Sequence, residues 1–167
     1  MRVASIACVV AGCGFQPNVV AVDALVADTA PDGLGNSMCQ QSGWINMGGR
    51  YYRLTAALVE WGTAAAQCAS AGGHLEKITT IGENEVARNE SIAASNPVWL
   101  GLKNLHLDGV YYWNDNTQLG TGDYHSFASG GIPADATKPC VAIAGNGDWY
   151  LSSCYSPVLY QGLCQCP

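Results

Sequence analysis

The sequence predicts an α+β domain that combines two helices with short strands and carries cysteines for disulfide bonds. One segment has apolar residues at three- and four-residue steps, as on one face of a helix. Several short apolar runs lie between turn signals, as buried strands do. The chain has 167 residues, of which eight are cysteine, a content typical of proteins from an oxidising compartment.

Composition narrows the class of partner. Hydrophobic residues make up 49% of the chain and charged residues 12%, so the chain can bury a core. The formal net charge is −6, which argues against a nucleic-acid partner because such a partner needs a basic face. The histidines His74, His106 and His125 lie far apart and no Cys-x-x-Cys pair occurs, so the spacing predicts no zinc site.

The first residues have the pattern of an export signal. Met1-Arg2 is a short positive start, and the apolar stretch from Val3 to Val10 is too short to span a bilayer. The sequence Val10-Ala11-Gly12-Cys13 resembles a bacterial lipobox, in which the cysteine is lipidated and becomes the mature N-terminus. We therefore predict a lipoprotein-type signal peptide over residues 1–12 and a lipid anchor on Cys13. The protein would then lie at the outer surface or in the periplasm.

A plain signal peptide cleaved nearby is the alternative, and the protein would then be secreted. Residues 13–38 hold prolines, glycines and aspartates without a clean period, which predicts a flexible tether. The folded domain is predicted over residues 39–167.

The first half of this domain reads as a strand followed by two helices. Gly72-Gly73 ends the first helix because glycine adopts the left-handed cap conformation without cost. Glu83 and Glu85 are predicted in the first turn of the second helix, where they favour the helix dipole, and Asn96-Pro97 ends it. The predicted elements are a strand at Tyr51, Tyr52 and Leu54, a helical stripe of Leu58, Trp61, Ala65 and Cys68, and a helix over Glu83–Ala94.

The second half reads as short strands around a long loop. Asp108-Gly109 is a turn signal. Residues 120–139 are rich in Gly, Ser, Asp and Pro and have little periodicity, so they predict a loop. The predicted strands are Val98–Leu102, Val110–Trp113, Val141–Ala144, Trp149–Leu151 and Tyr160–Cys164.

An ordered series of short phrases lies between the cysteines. It reads Cys68, Gly72-Gly73-His74-Leu75, Val98-Trp99-Leu100-Gly101-Leu102, Cys140, Gly147-Asp148-Trp149, Cys154 and Cys164. In this order the phrases resemble the C-type lectin-like domain, an extracellular binding module. The resemblance covers Cys39 to Cys166. It implies two helices beside small antiparallel sheets, with a long loop that is the usual ligand-binding region, and a core position for Trp99 and Trp149.

The resemblance also implies a disulfide framework. In the family a helix cysteine bonds the last-strand cysteine, and a second pair bridges the strands that flank the long-loop region. Mapped onto this chain, these pairs are Cys68–Cys164 and Cys140–Cys154. Because the first and last strands are neighbours in this fold, we also predict Cys39–Cys166. Cys13 is then left for the lipid, and Cys8 lies in the removed leader.

The family's calcium-binding residues are missing. Sugar-binding members supply calcium ligands from a Glu-Pro-Asn or Gln-Pro-Asp triplet, from an acid before the next cysteine, and from an Asn-Asp pair after the late tryptophan. This chain has Ile132-Pro133-Ala134, Lys138-Pro139 and Tyr150-Leu151 at these places. Calcium needs six to eight oxygen ligands, and a lysine repels the cation. The sequence therefore predicts no metal or other cofactor.

One triplet of this chain matches the calcium-binding pattern in its residues but not in its position. Trp113-Asn114-Asp115 spells the family's Trp-Asn-Asp triplet but precedes the long loop. We interpret it as a strand end followed by an Asn/Asp turn.

Four residues of the long loop are the candidate ligand-binding patch: Asp123, Tyr124, His125 and Asp135. They could contact a sugar or a peptide, and ordinary solvation of a loop is the alternative interpretation. Asp123 and Asp135 could also be viewed as the carboxylate pair of a glycosidase, but nothing in the sequence fixes their geometry. The sequence also contains no recognisable pair of nucleophile and general base, so we do not predict an enzyme.

The predicted function is an exported, calcium-independent binding module, acting as a monomeric domain on a carbohydrate or another surface ligand. A protein–protein interaction module without lectin activity is the alternative.

Overall fold

The computed structural model of the protein describes residues 38–40, 43–104, 106–134 and 137–166. The predicted signal peptide, Cys13, nearly all of the predicted tether and Asp135 lie outside the described residues. In chain order the described elements are β1 (Ile45–Met47), β2 (Arg50–Leu54), α1 (Trp61–Ser70), β3 (His74–Leu75), α2 (Ile81–Ala94), β4 (Val98–Lys103), β5 (Tyr112–Trp113), β6 (Cys140–Ile143), β7 (Trp149–Ser152) and β8 (Gln161–Cys166).

The strands join in the order β1-β2-β8-β4-β6-β7, with β3 beside β8 and β5 beside β4. The last strand thus lies in the middle of the sheet. It pairs antiparallel with β2 and parallel with β4, where Val98 lies opposite Gln161 and Trp99 opposite Gly162. This parallel contact makes the sheet mixed, whereas the sequence analysis expected small antiparallel sheets.

The hairpin between β1 and β2 was missed by the sequence analysis, which began the domain's strands at Tyr51. Met47 pairs with Arg50 across a two-residue turn of Gly48 and Gly49. Both glycines have positive φ, 65° and 86°, as the tight turns favoured in hairpins require. The Gly-Gly pair was therefore the signal for this hairpin.

Helix α1 begins at Trp61 and buries Trp61, Ala64 and Cys68. Leu58, which the sequence analysis placed on the helical stripe, precedes the helix and is 47% exposed. The prediction of a helix end at Gly72-Gly73 is confirmed. Gly72 has a φ of +85°, and the N–H groups of Gly72 and Gly73 donate to the carbonyls of Ala69 and Cys68 at 3.0 Å each, which is the Schellman arrangement.

Helix α2 begins two residues before the predicted start at Glu83. Thr80 is its N-cap, and its hydroxyl accepts from the Glu83 N–H at 3.2 Å. The Glu83 carboxylate accepts from the Thr80 N–H at 3.1 Å and completes a capping box. Because the helix begins at Ile81, Glu85 lies in the second turn rather than the first.

The core is packed on both faces of β4. Trp99 and Trp149 are both 0% exposed, as the resemblance implies. The Trp99 indole donates to the Val59 carbonyl at 2.8 Å, so the buried ring also has its polar atom satisfied. Gly101 is needed here, because a Cβ at this position would meet the Leu75 carbonyl oxygen at 2.6 Å.

Disulfide bonds reinforce this core at three places within the described residues. They join Cys39 to Cys166, Cys68 to Cys164, and Cys140 to Cys154. The second bond holds α1 against β8, and the third lies at the open end of the β6–β7 hairpin. A chain-entropy model gives each such bond about 3 to 5 kcal/mol of stabilisation. No helix among residues that the structure describes is long and apolar enough to cross a membrane.

Candidate functional site: the long-loop cavity

The long loop, residues 120–139, connects β5 to β6 and is attached to the sheet through its middle. Phe127 forms a parallel bridge with Trp149. The Trp149 N–H donates to the Ser126 carbonyl at 2.7 Å, and the Ala128 N–H donates to the Trp149 carbonyl at 3.3 Å. Backbone hydrogen bonds on both sides of Phe127 therefore fix this part of the loop beside β7.

Aromatic packing supports the same attachment. The Phe127 ring lies 5.4 Å from the Trp149 ring and 6.0 Å from the Tyr111 ring, measured between centroids. Trp149 in turn contacts Trp113 edge to face at 5.8 Å. Its indole N–H donates to the Asn84 side-chain oxygen at 2.7 Å, which ties the floor under the loop to α2. The floor is therefore closely packed and aromatic.

A cavity of about 340 Å³ lies over this floor. We call it the long-loop cavity. Its lining includes residues from each of the three segments to which the resemblance assigns calcium ligands: Pro133, Lys138 and Tyr150-Leu151. Its lining residues are Phe127, Ala128, Ser129, Pro133, Lys138, Trp149, Tyr150 and Leu151.

These residues do not fit a calcium ion. Pro133, Lys138 and Leu151 contribute no carboxylate or amide oxygen, and calcium is held by six to eight oxygens. The Lys138 side chain is exposed, and its positive charge would repel a divalent cation in this cavity. Across the described part of the chain, no group of three or more His, Cys, Asp or Glu side chains could hold a metal ion.

Tyr150 forms one wall of the cavity from β7. Its ring packs edge to face on Tyr160 at 6.3 Å, and its hydroxyl is buried. Burial and the neighbouring Tyr160 raise the pKa of the Tyr150 phenol above its usual value. The hydroxyl is therefore protonated and neutral at all physiological pH values.

The predicted patch is divided by the structure. Asp123 and Tyr124 line a different cavity of about 210 Å³, together with Lys77 and Trp113. Asp123 is engaged within the loop, since its Oδ2 accepts from the Gly120 N–H at 2.7 Å. The Tyr124 ring contacts Trp149 at 6.1 Å, and burial raises the pKa of its phenol.

His125 does not join these two residues in that cavity. Its ring lies 6.0 Å from Phe127, and its Nδ1 is buried without a partner. Asp135 lies outside the described residues. The patch therefore does not form one site in the described structure, and its role in binding stays a prediction.

The long-loop cavity contains residues that the sequence analysis did not name as binding residues, among them Phe127, Ser129 and Lys138. A signal was present for Lys138, Tyr150 and Leu151, because they occupy the family's calcium positions. No sequence signal identified Phe127, whose place depends on the bridge to Trp149.

The Asn114-Asp115 turn is structural, as interpreted from the sequence. The Asp115 carboxylate accepts from the Thr117 N–H at 2.9 Å and from the Lys77 ammonium at 2.6 Å. Burial raises the pKa of Asp115, but the hydrogen bonds from Lys77 and Thr117 and the Lys77 charge outweigh it and lower the pKa to about 2. The carboxylate thus closes a turn after β5.

Comparisons with known proteins agree with this fold. Residues 57–165 match the model of the lectin C-type domain. The chain is 30% identical over 124 residues to Lymphocyte antigen 75 of Homo sapiens, and the match covers 71% of this chain but 7% of that protein. It is 26% identical over 143 residues to Lactose-binding lectin l-2 of Anguilla japonica, with 84% of this chain and 86% of that protein covered.

A solved structure shows the same architecture. It is the cow C-type carbohydrate-recognition domain of CD23 in the presence of GlcNAc2Man3 oligosaccharide, with a TM-score of 0.64 and 25% identity, covering 75% of this chain and 93% of that one. The matched family model, the relatives and the shared disulfide-reinforced α+β fold lead to one conclusion: the chain belongs to the C-type lectin domain family.

Proposed function

We propose that this domain binds a carbohydrate ligand in the long-loop cavity without a calcium ion. One observation carries the proposal: the three family calcium positions meet in one cavity, where Pro133, Lys138 and Tyr150-Leu151 line it without a carboxylate. This supports a ligand site at the place expected from the family that does without the family's metal. Binding rather than catalysis fits membership of a family of binding modules.

The choice of carbohydrate as ligand is supported by two relatives. One is named as a lactose-binding lectin, and the cow CD23 domain was solved in the presence of an oligosaccharide. The cavity is small, about 340 Å³, at the lower end of the roughly 300–1,000 Å³ typical of small-molecule sites. This volume suits a terminal sugar unit more than a folded protein surface.

Lys138 gives the cavity its charge. Its ammonium is exposed, and no carboxylate among the described residues forms an ion pair with it. A saccharide that bears a carboxylate or sulfate would form a charge-assisted hydrogen bond with this group. We therefore infer that acidic saccharides bind more tightly than neutral ones of the same size.

A glycan array tests the proposal. The purified protein is applied once with calcium and once with a chelator. Binding of acidic glycans in both conditions is the expected result. Binding that disappears in chelator would contradict the metal-free site. The absence of glycan binding in both conditions would favour the protein–protein interaction module.

We also propose that the protein is exported and anchored through a lipid on Cys13. The disulfide bonds suit an oxidising compartment, and Val10-Ala11-Gly12-Cys13 has the lipobox pattern. Expression in a bacterial host with a clickable fatty acid should label the wild type but not Cys13→Ser. Equal labelling of the wild type and Cys13→Ser, or no labelling of either protein, would contradict the proposed lipid anchor.

A further inference from the structure

A second cavity of about 680 Å³ shares no lining residue with the long-loop cavity. It lies between the first turn of α1, the segment that follows β4, and the segments on either side of the Cys140–Cys154 bond. We call it the α1 cavity. Its lining residues are Trp61, Gly62, Lys103, Asn104, Leu107, Thr137, Pro139, Ser153, Cys154 and Tyr155.

Lys103 supplies an unpaired positive charge to this cavity. Its ammonium nitrogen lies 4.5 Å from the centre of the Trp61 ring, a cation–π contact that holds the group over the ring face. Among the described residues no carboxylate forms an ion pair with Lys103. Its charge is therefore available to an anionic ligand in the cavity.

Asn104 supplies an unused hydrogen-bond donor. The residue is 3% exposed, and its Nδ2 is buried without a partner. The Oδ1 atom accepts from the Asp108 N–H at 3.2 Å, so the amide cannot be turned round without losing this bond. A buried donor without a partner costs about 1–3 kcal/mol, and an acceptor bound in the cavity would remove that cost.

The walls around these two donors are apolar and aromatic. Leu107 is 55% exposed and Tyr155 is 69% exposed, and both line the cavity beside Trp61 and Pro139. Large apolar side chains that lie exposed together around a concave surface are typical of ligand sites. These walls favour a ligand whose body is itself apolar.

We propose that the α1 cavity binds a small amphipathic anion, with its carboxylate or sulfonate group at Lys103 and Asn104 and its apolar body against Leu107 and Tyr155. The two donors select a negative acceptor, and the walls select an apolar body. The volume lies within the roughly 300–1,000 Å³ of small-molecule sites, so a free small molecule fits better than a flat protein partner.

A fluorescence titration tests this assignment. The probe is anilinonaphthalene sulfonate, which has an aromatic body and one sulfonate. The full-length protein is titrated as wild type, as Lys103→Met and as Arg53→Met. Lys103→Met keeps the apolar stem but removes the charge. Arg53→Met is the matched control, because Arg53 also lies over a tryptophan, 5.3 Å from the Trp44 ring, but does not line the α1 cavity.

We expect saturable binding to the wild type and to Arg53→Met, and a Kd raised about tenfold or more in Lys103→Met, as for loss of a charge-assisted hydrogen bond. Decanoate should displace the probe, and decanol, which lacks the charge, should not. Near-ultraviolet circular dichroism shows that each variant is folded.

If Lys103→Met fails to fold, Tyr155→Ser replaces it. Its exposed side chain is not needed for the core, and its loss should also weaken probe binding. Equal affinity of the wild type and the folded cavity variants would overturn the proposal. So would equal displacement by decanol and decanoate, or the absence of saturable binding to the folded wild type.

Discussion

At the scale of single residues, the most unusual group is the Glu76 side chain. It is 0% exposed, and both carboxyl oxygens are buried without a hydrogen-bond partner. Burial raises the pKa of this carboxyl well above its usual value, and the nearby Glu83 raises it further, while Arg50 opposes the shift. The carboxyl is therefore held partly or fully protonated in the folded protein when a solvated one would be ionised.

This pKa shift makes stability depend on pH. Because the folded pKa lies above the unfolded value, the folded state binds the extra proton between the two pKa values. Stability is then highest below the unfolded pKa and falls as the pH rises toward the folded pKa. We expect Glu76→Gln to raise the melting temperature at neutral pH and to reduce its fall between acidic and neutral pH.

Calorimetric melting curves across this pH range measure the effect. Glu85→Gln is the control, since Glu85 is exposed and forms only a surface ion pair with Arg88, which contributes little to stability. If wild type and Glu76→Gln lose stability in parallel as the pH rises, Glu76 is not the group responsible.

Lys138 is the residue through which the proposed site would select an acidic ligand. Because its ammonium would contact an acidic group of the sugar, we expect Lys138→Met to weaken acidic-saccharide binding by about tenfold. Lys138→Arg keeps the charge and should retain most of the affinity. Calorimetric titration of both variants with one acidic glycan from the array measures this, and an unchanged Kd in Lys138→Met would place the ligand elsewhere.

At the scale of elements, local contacts rather than the apolar pattern decided the first residue of each helix. The predicted stripe extended α1 back to Leu58, yet the chain before Trp61 forms a bridge between Val59 and Tyr160. Helix α2 was predicted from its first acid, whereas Thr80 and Glu83 form a capping box that begins it at Ile81. The existence and type of both helices could be predicted from periodicity, but their first residues depended on these local contacts.

The capping box gives an element-scale prediction. Thr80→Ala removes the hydroxyl that accepts from the Glu83 N–H, so we expect it to lower the free energy of unfolding by about 1 kcal/mol. Thr63→Ala in α1 is the matched control, because Thr63 is an exposed residue inside a helix, where alanine is the better helix former. Chemical denaturation compares the two variants, and equal stabilities would show that the cap contributes nothing.

At the scale of the whole molecule, the fold was more predictable than the site. The fold could be predicted from the order of the short glycine, tryptophan and cysteine motifs, because their residues have packing roles in the core. One example is Gly101, whose backbone lies close to the Leu75 carbonyl. The long-loop cavity depends instead on tertiary contacts between distant segments. Loop composition suggested Asp123 and His125 as neighbours, but the bridge between Phe127 and Trp149 determines which side chains line the cavity.

The missing calcium ligands predict how the molecule responds to a chelator. The proposed site holds no calcium ion that would stabilise the folded state, so we expect removal of calcium to leave the melting temperature unchanged. Reduction of the disulfide bonds should lower it and serves as the positive control. Differential scanning calorimetry in calcium and in chelator makes the comparison, and a fall of several degrees in chelator would show that other residues bind calcium.

The most direct test of the central claim is the affinity for one acidic glycan, measured by calorimetric titration in calcium and in chelator. Because the proposed site binds the glycan through Lys138 and its apolar floor, without calcium, we expect the same Kd in both buffers. Affinity that is present in calcium and lost in chelator would contradict it.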